Sequence, residues 1–142
     1  MRRRVKRFMV LALSISIFSI SMVPALAKVN HYAFDFRLRP GHANSYTSKN
    51  TEKYREATVG TDPWMVNFAY NSEGTGCAAT FWLASSQVSG HKKVSPAHTI
   101  QQGTGDRWFS AYNSASKRYV ALGAENNNAD GCHVSGYWDE ER

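Results

Sequence analysis

The chain has 142 residues, with 17 Lys and Arg against 11 Asp and Glu, and only two cysteines. Five of the basic residues (Arg2, Arg3, Arg4, Lys6 and Arg7) fall in the first seven positions, so the rest carries 12 basic against 11 acidic groups, a net charge of +1. That balance argues against a nucleic-acid partner, which needs a basic face able to neutralise a run of phosphates.

The charged start is followed by an uncharged stretch from Phe8 to Val23, then Pro24 and the small-residue pattern Ala25-Leu26-Ala27. A positive segment, a short apolar segment and small residues at the last and third-last positions make a secretory signal peptide, expected as a helix. Cleavage is expected after Ala27, so that the mature protein begins at Lys28. The apolar run of 16 residues is shorter than the ~20 that span a bilayer comfortably. The expectation is therefore a leader at 1–27 and one mature domain at 28–142, secreted to the medium or the cell wall. The membrane is involved only during export.

Cys77 and Cys132 both lie in the exported part. An even count in an oxidising compartment predicts a disulfide between them. Closing that loop would be worth roughly 4 kcal/mol by the chain-entropy argument.

Period two dominates the mature chain. From His31 to Arg39, Tyr32, Phe34, Phe36 and Leu38 share one side and Asp35, Arg37 and Arg39 the other, the pattern of a half-buried strand. Pro40-Gly41 ends it, and residues 42–53 read as a long polar loop. A short strand is expected over Tyr54–Val59. Trp64–Tyr70 and Cys77–Ala84 alternate on either side of a Gly-containing turn at Asn71–Gly76, which predicts a β-hairpin. Further strands are expected around Val94–Ile100, where Pro96 favours an edge, and over Arg107–Asn113, Tyr119–Ala124 and Cys132–Trp138. Ser110–Lys117 is the best place for a short helix. On the final strand Cys132, Val134, Gly136 and Trp138 share a face, which makes Trp138 a core plug and leaves Asp139–Arg142 trailing into solvent. The fold class is all-β: a single small antiparallel β-sandwich or open barrel.

Catalytic spacings such as Gly-x-Ser-x-Gly, His-Glu-x-x-His and the Walker loop are absent. His31, His42, His91, His98 and His133 are scattered. Cys132-His133 would point to opposite faces of a strand. The candidate carboxylates Glu73, Glu125, Asp139, Glu140 and Glu141 sit in turns or at the tail. The turn from Glu125 to Gly131 offers oxygen ligands, but it lacks the alternate-residue acidic spacing of a calcium loop and reads as a self-capping Asn/Asp turn. No catalytic residue, metal or cofactor is assigned, and the protein is not expected to be an enzyme. The aromatic residues Trp64, Trp82 and Trp108 are the candidates for a binding surface, weighed against their ordinary use in a core.

Several motifs occur in a fixed order: Tyr54-Arg55 with Thr58, Trp64-x-Val66-Asn67-Phe68, Thr80-Phe81-Trp82-Leu83, Ala124-Glu125-Asn126-Asn127-Asn128 and Ser135-Gly136-Tyr137-Trp138-Asp139-Glu140-Glu141. In these the chain resembles an uncharacterised family of small secreted Gram-positive bacterial proteins, built on domain of unknown function 2712. The resemblance covers nearly all of the mature part and implies export and a single domain. It supplies no activity and no site residues, and the Cys77–Cys132 pair stands apart from it. The leading expectation is a non-enzymatic extracellular or cell-envelope binding domain, with a cell-wall or surface polysaccharide or a cell-surface protein as partner. A secreted bacteriocin-like antagonist is the alternative, and an envelope hydrolase comes third.

Overall fold

The computed structural model describes residues 29–58, 60 and 62–142. The expected signal peptide, with Ala25, Ala27 and Lys28 at its expected cleavage point, lies outside them. Among the described residues nine strands run in chain order: β1 (Tyr32–Leu38), β2 (Ser45–Tyr46), β3 (Lys53–Arg55), β4 (Trp64–Asn71), β5 (Ala78–Ser85), β6 (His98–Gln101), β7 (Asp106–Phe109), β8 (Arg118–Asn126) and β9 (Cys132–Asp139). They form two antiparallel sheets. The first has the order β1-β9-β4-β7, and the second β2-β8-β5-β6, with β3 also paired to β8. The protein is all-β, as its alternating pattern requires.

The core lies between the sheets. Phe34 and Leu38 of β1, Trp64, Val66 and Phe68 of β4, and Val134 and Trp138 of β9 meet Phe81 and Leu83 of β5 and Val120 and Leu122 of β8. Each such side chain contributes roughly 1.5–3 kcal/mol on leaving water. Cys132, Val134, Gly136 and Trp138 share the inner face as period two predicts, and Trp138 is fully enclosed. A Cβ on Gly136 would collide with the Asn67 carbonyl and come within 3.0 Å of Phe34 Cζ. The bulge in β4 between Phe68 and Tyr70 sits beside this close approach. Its carbonyls are satisfied from the turn between β6 and β7, since Gly103 N–H donates to Phe68 O (2.8 Å) and Gln102 Nε2 to Ala69 O (3.2 Å).

Four expectations are corrected. First, β4 and β5 are not a hairpin, because they belong to different sheets. The six-residue link between them is long enough to cross the ~10 Å between packed sheets. It is anchored to β9, where Ser72 N–H donates to His133 O (2.9 Å) and His133 N–H donates to Ser72 Oγ (2.9 Å). Second, Cys77 and Cys132 are free thiols and form no disulfide. Cys77 precedes the second sheet's β5 and is half-buried, whereas Cys132 opens β9 of the first sheet and is buried. Third, the acidic tail does not trail into solvent: Asp139 and Glu140 are buried. Fourth, the expected helix at Ser110–Lys117 is a single 3-10 turn at Asn113–Ala115.

Candidate functional site

The aromatic candidates separate at once. Trp64 is fully buried, tilted against Phe109 at 5.5 Å between ring centroids. Trp82 does point to the outer face of its sheet, opposite Phe81, yet it also has no exposed surface. A Cβ on Gly123, its cross-strand partner, would lie 2.5 Å from the indole Cε2, so only glycine lets the ring lie there. Lys93 Nζ stands 4.1 Å from the centre of the Trp82 ring, and Tyr46 meets it edge-on at 6.2 Å. Neither Trp64 nor Trp82 is an open platform. Trp108 is half-buried, with the Arg142 guanidinium 5.4 Å from its ring.

What Trp82 does is hold Tyr46. Tyr46 in turn carries His91, stacked on it at 4.0 Å with an interplanar angle of 17°. His91 has a left-handed backbone (φ 51) and follows Gly90 (φ 77), which closes the 3-10 turn at Gln87–Ser89. A non-glycine residue held at positive φ costs energy and needs surrounding structure to keep it there. The stack therefore forms a fixed wall.

That wall borders a groove where β1, an outer strand of the first sheet, comes alongside β2 at the rim of the second. Its basic end is a cleft of about 330 Å³ lined by Arg37, Arg39, Lys49 and His91, with Asn44 and Gln87 among the neutral polar groups. No acidic residue lines that end. Through Tyr46, Thr47 and Ser48 it continues into a second recess of about 390 Å³ along Phe34, Asp35 and Phe36. Arg39 is held in place: its Nε donates to Asn44 O (3.1 Å), its Nη2 donates to the same carbonyl, and its backbone N–H donates to Ser45 Oγ (3.0 Å). Arg37 and Lys49 are exposed, and their side chains have no ion pair or hydrogen bond among the described residues. Asp35, at the far end, is paired with His133 Nε2 at 2.6 Å.

The carboxylates converge elsewhere, for a structural purpose. Arg55 is fully buried and donates through Nη1 to Glu140 O and through Nη2 to Asp62 O. Glu141 accepts from the backbone N–H of Glu56 (3.1 Å) and Ala57 (2.6 Å). Asp139 accepts from Asn30 N–H (2.6 Å) and Glu141 N–H (3.3 Å). Burial pushes the Glu140 carboxyl up to about 7, and the neighbouring Asp139 and Glu141 charges push the same way. Two of the sequence motifs that carry the resemblance, Tyr54-Arg55 and the Asp139-Glu140-Glu141 tail, thus meet as a clasp. A third, Asn126-Asn127-Asn128, is a self-bonded turn. Asn126 Nδ2 donates to Asp130 O (2.6 Å) and Asn128 Nδ2 to Glu73 Oε1 (2.8 Å). Among the described residues no group of three or more His, Cys, Asp or Glu is placed to hold a metal ion. Burial raises the Cys132 thiol to about 11, which leaves it a poor nucleophile near neutral pH.

Tyr46, His91, Arg37, Arg39 and Lys49 were not singled out by the sequence. The alternation of β1 does place Arg37 and Arg39 on one side, but nothing local shows that residues 44–49 and 87–91 arrive beside them.

The two sheets and the groove at their rim define an all-β protein with a surface cleft. The chain belongs to the family described as protein of unknown function (DUF2712), whose profile matches residues 21–142. No curated protein matches it. Among solved structures it is similar to the crystal structure of PirA, at 14% identity and a TM-score of 0.44, over 80% of this chain and 98% of that one.

Proposed function

We propose that this is a secreted, non-enzymatic binding domain of the cell envelope, and that the groove between β1 and β2 is its binding surface. The observation that carries the reading is the build of the groove. Cations and neutral hydrogen-bonding groups line the basic end of an extended channel whose wall, built on Trp82, Tyr46 and His91, is set before any ligand arrives. Pre-organisation of this kind lowers the cost of binding. The rest of the surface is in keeping with it: Tyr54, Tyr70, Tyr112, Tyr119 and Tyr137 are all exposed, and tyrosine offers a rigid apolar ring with a polar tip. Of the converging carboxylates, Asp139 and Glu141 accept backbone N–H groups and tie the tail to the fold, a structural use that favours binding over hydrolysis.

Secretion follows from the leader ending at Ala27. Intact mass of protein from culture medium should correspond to a chain starting at Lys28, and a membrane-bound form retaining Met1 would overturn this. Binding is tested by co-sedimentation with isolated cell walls. Retention of wild-type protein is expected, and protein left wholly in the supernatant at micromolar concentration would refute the envelope reading.

A further inference from the structure

Resting on that reading, we infer that the occupant of the groove is an anionic polysaccharide, with its acidic groups at Arg37, Arg39 and Lys49 and its sugar rings running along Tyr46 towards Phe36. The charge argument is local. The chain as a whole is almost balanced, yet the basic end of the groove gathers three permanent cations and His91 without an acid among its lining residues. Like charges brought together on a folded surface repel unless a counter-charge joins them. The side chains of two of the three, Arg37 and Lys49, have no ion pair or hydrogen bond among the described residues, and the third is aimed by Asn44. An aimed guanidinium can bind a carboxylate, sulfate or phosphate through two parallel hydrogen bonds.

The rest of the lining selects a sugar chain over a bare ion or a peptide. A single inorganic anion would fill only a small part of the 330 Å³ cleft, which then continues for a further 390 Å³ through the shared residues Tyr46, Thr47 and Ser48. The intervening groups, Asn44, Thr47, Ser48 and Gln87, are hydroxyls and amides, which both donate and accept and so match sugar hydroxyls. An acidic peptide would instead call for apolar pockets at alternate positions beside the strand edge, and the basic end has none.

The test uses the purified protein with polygalacturonate, its fully methyl-esterified form, poly-L-glutamate and inorganic phosphate as probes. Polygalacturonate should bind at least tenfold more tightly than the ester, which keeps the backbone and loses the charge. It should also bind more tightly than poly-L-glutamate, and millimolar phosphate should compete only weakly. The double variant Arg37→Ser/Lys49→Ser should lose at least tenfold in affinity with an unchanged melting temperature, since both side chains are exposed and make no contact the fold needs. Equal binding of the ester, tighter binding of poly-L-glutamate, or full affinity in the double variant would each overturn the assignment. If wild-type protein sediments with isolated walls but ignores polygalacturonate, the ligand class is wrong and the envelope reading stands. If it does neither, both fall.

Discussion

Glu140→Gln should stabilise the protein above pH 7 and leave it nearly unchanged at pH 4.5. Glu140 is buried beside two other carboxylates, and burial raises its affinity for a proton from the ordinary 4.5 to about 7. Between those values the folded chain holds a proton that the unfolded chain has released. Stability must therefore fall as pH rises through this window, and the full cost is present above it. A tenfold change in proton affinity is worth about 1.4 kcal/mol, which sets a ceiling of roughly 3 kcal/mol. Solvent screening and relaxation of the tail bring this to about 1–2 kcal/mol. Asp139, also raised by burial, adds to the same slope. His98 opposes it: burial lowers its pKa below the usual 6.5, so its contribution grows as pH rises. Comparing wild type with Glu140→Gln at each pH cancels the His98 term. Thermal melts from pH 4.5 to 8 should show a midpoint difference opening to about 4–8 °C in favour of the variant. A variant less stable than wild type at pH 8, by the same margin as at pH 4.5, would refute the reasoning. It would mean that the ionised carboxylate is welcome where it sits.

Four further outcomes follow from the packing. Trp138→Ala should cost about 3–5 kcal/mol by opening a cavity between the sheets, and deleting residues 140–142 should cost a comparable amount by stripping Arg55 and the Glu56 and Ala57 amides of their acceptors; a truncated protein that melts with wild type would show the clasp to be idle. Gly123→Ala should cost about 1–3 kcal/mol by displacing the Trp82 indole, visible as a shift in tryptophan fluorescence together with a lower midpoint. An unshifted spectrum and midpoint would refute the close approach. In unreduced protein unfolded in guanidinium, both Cys77 and Cys132 should react with a thiol reagent, whereas folded protein should label at Cys77 well before Cys132; absence of thiol signal in the unfolded sample would contradict the free pair.

The strands were legible in the sequence because period two is a local signal. Residues 31–39 and 132–138 match β1 and β9 to within a residue or two, and the inner face of β9 is as read. Pairing was not legible. Partner choice depends on contacts distant in sequence, so β4 and β5 read as a hairpin although they belong to different sheets. Ser45–Tyr46 escaped notice as β2 because two paired residues in a polar stretch carry no periodicity. The tail was misread for a related reason: Asp139-Glu140-Glu141 looks solvated until Arg55, some 85 residues earlier, is found buried beneath it. Trp82 and Ala84 are buried on the outer face of β5, where strict alternation would expose them. What covers Trp82 there is Tyr46 and Lys93, which come from other parts of the chain.

The pairing of β1 with β9 has a consequence for how this chain reaches its final form. Tyr32 to Leu38 are matched residue by residue with Trp138 back to Cys132, so the first described strand finds its partner only in the last. Six of the eight links between successive strands also pass from one sheet to the other, leaving few neighbours in sequence that can hold each other early. Assembly of such a topology is slow, because distant ends must meet before contacts repay the lost freedom. Until β9 has been delivered, β1 has no partner and the Arg55 clasp has no tail to close on. A chain wired this way stays open until its last strand is present, with a lock that only that final strand can turn.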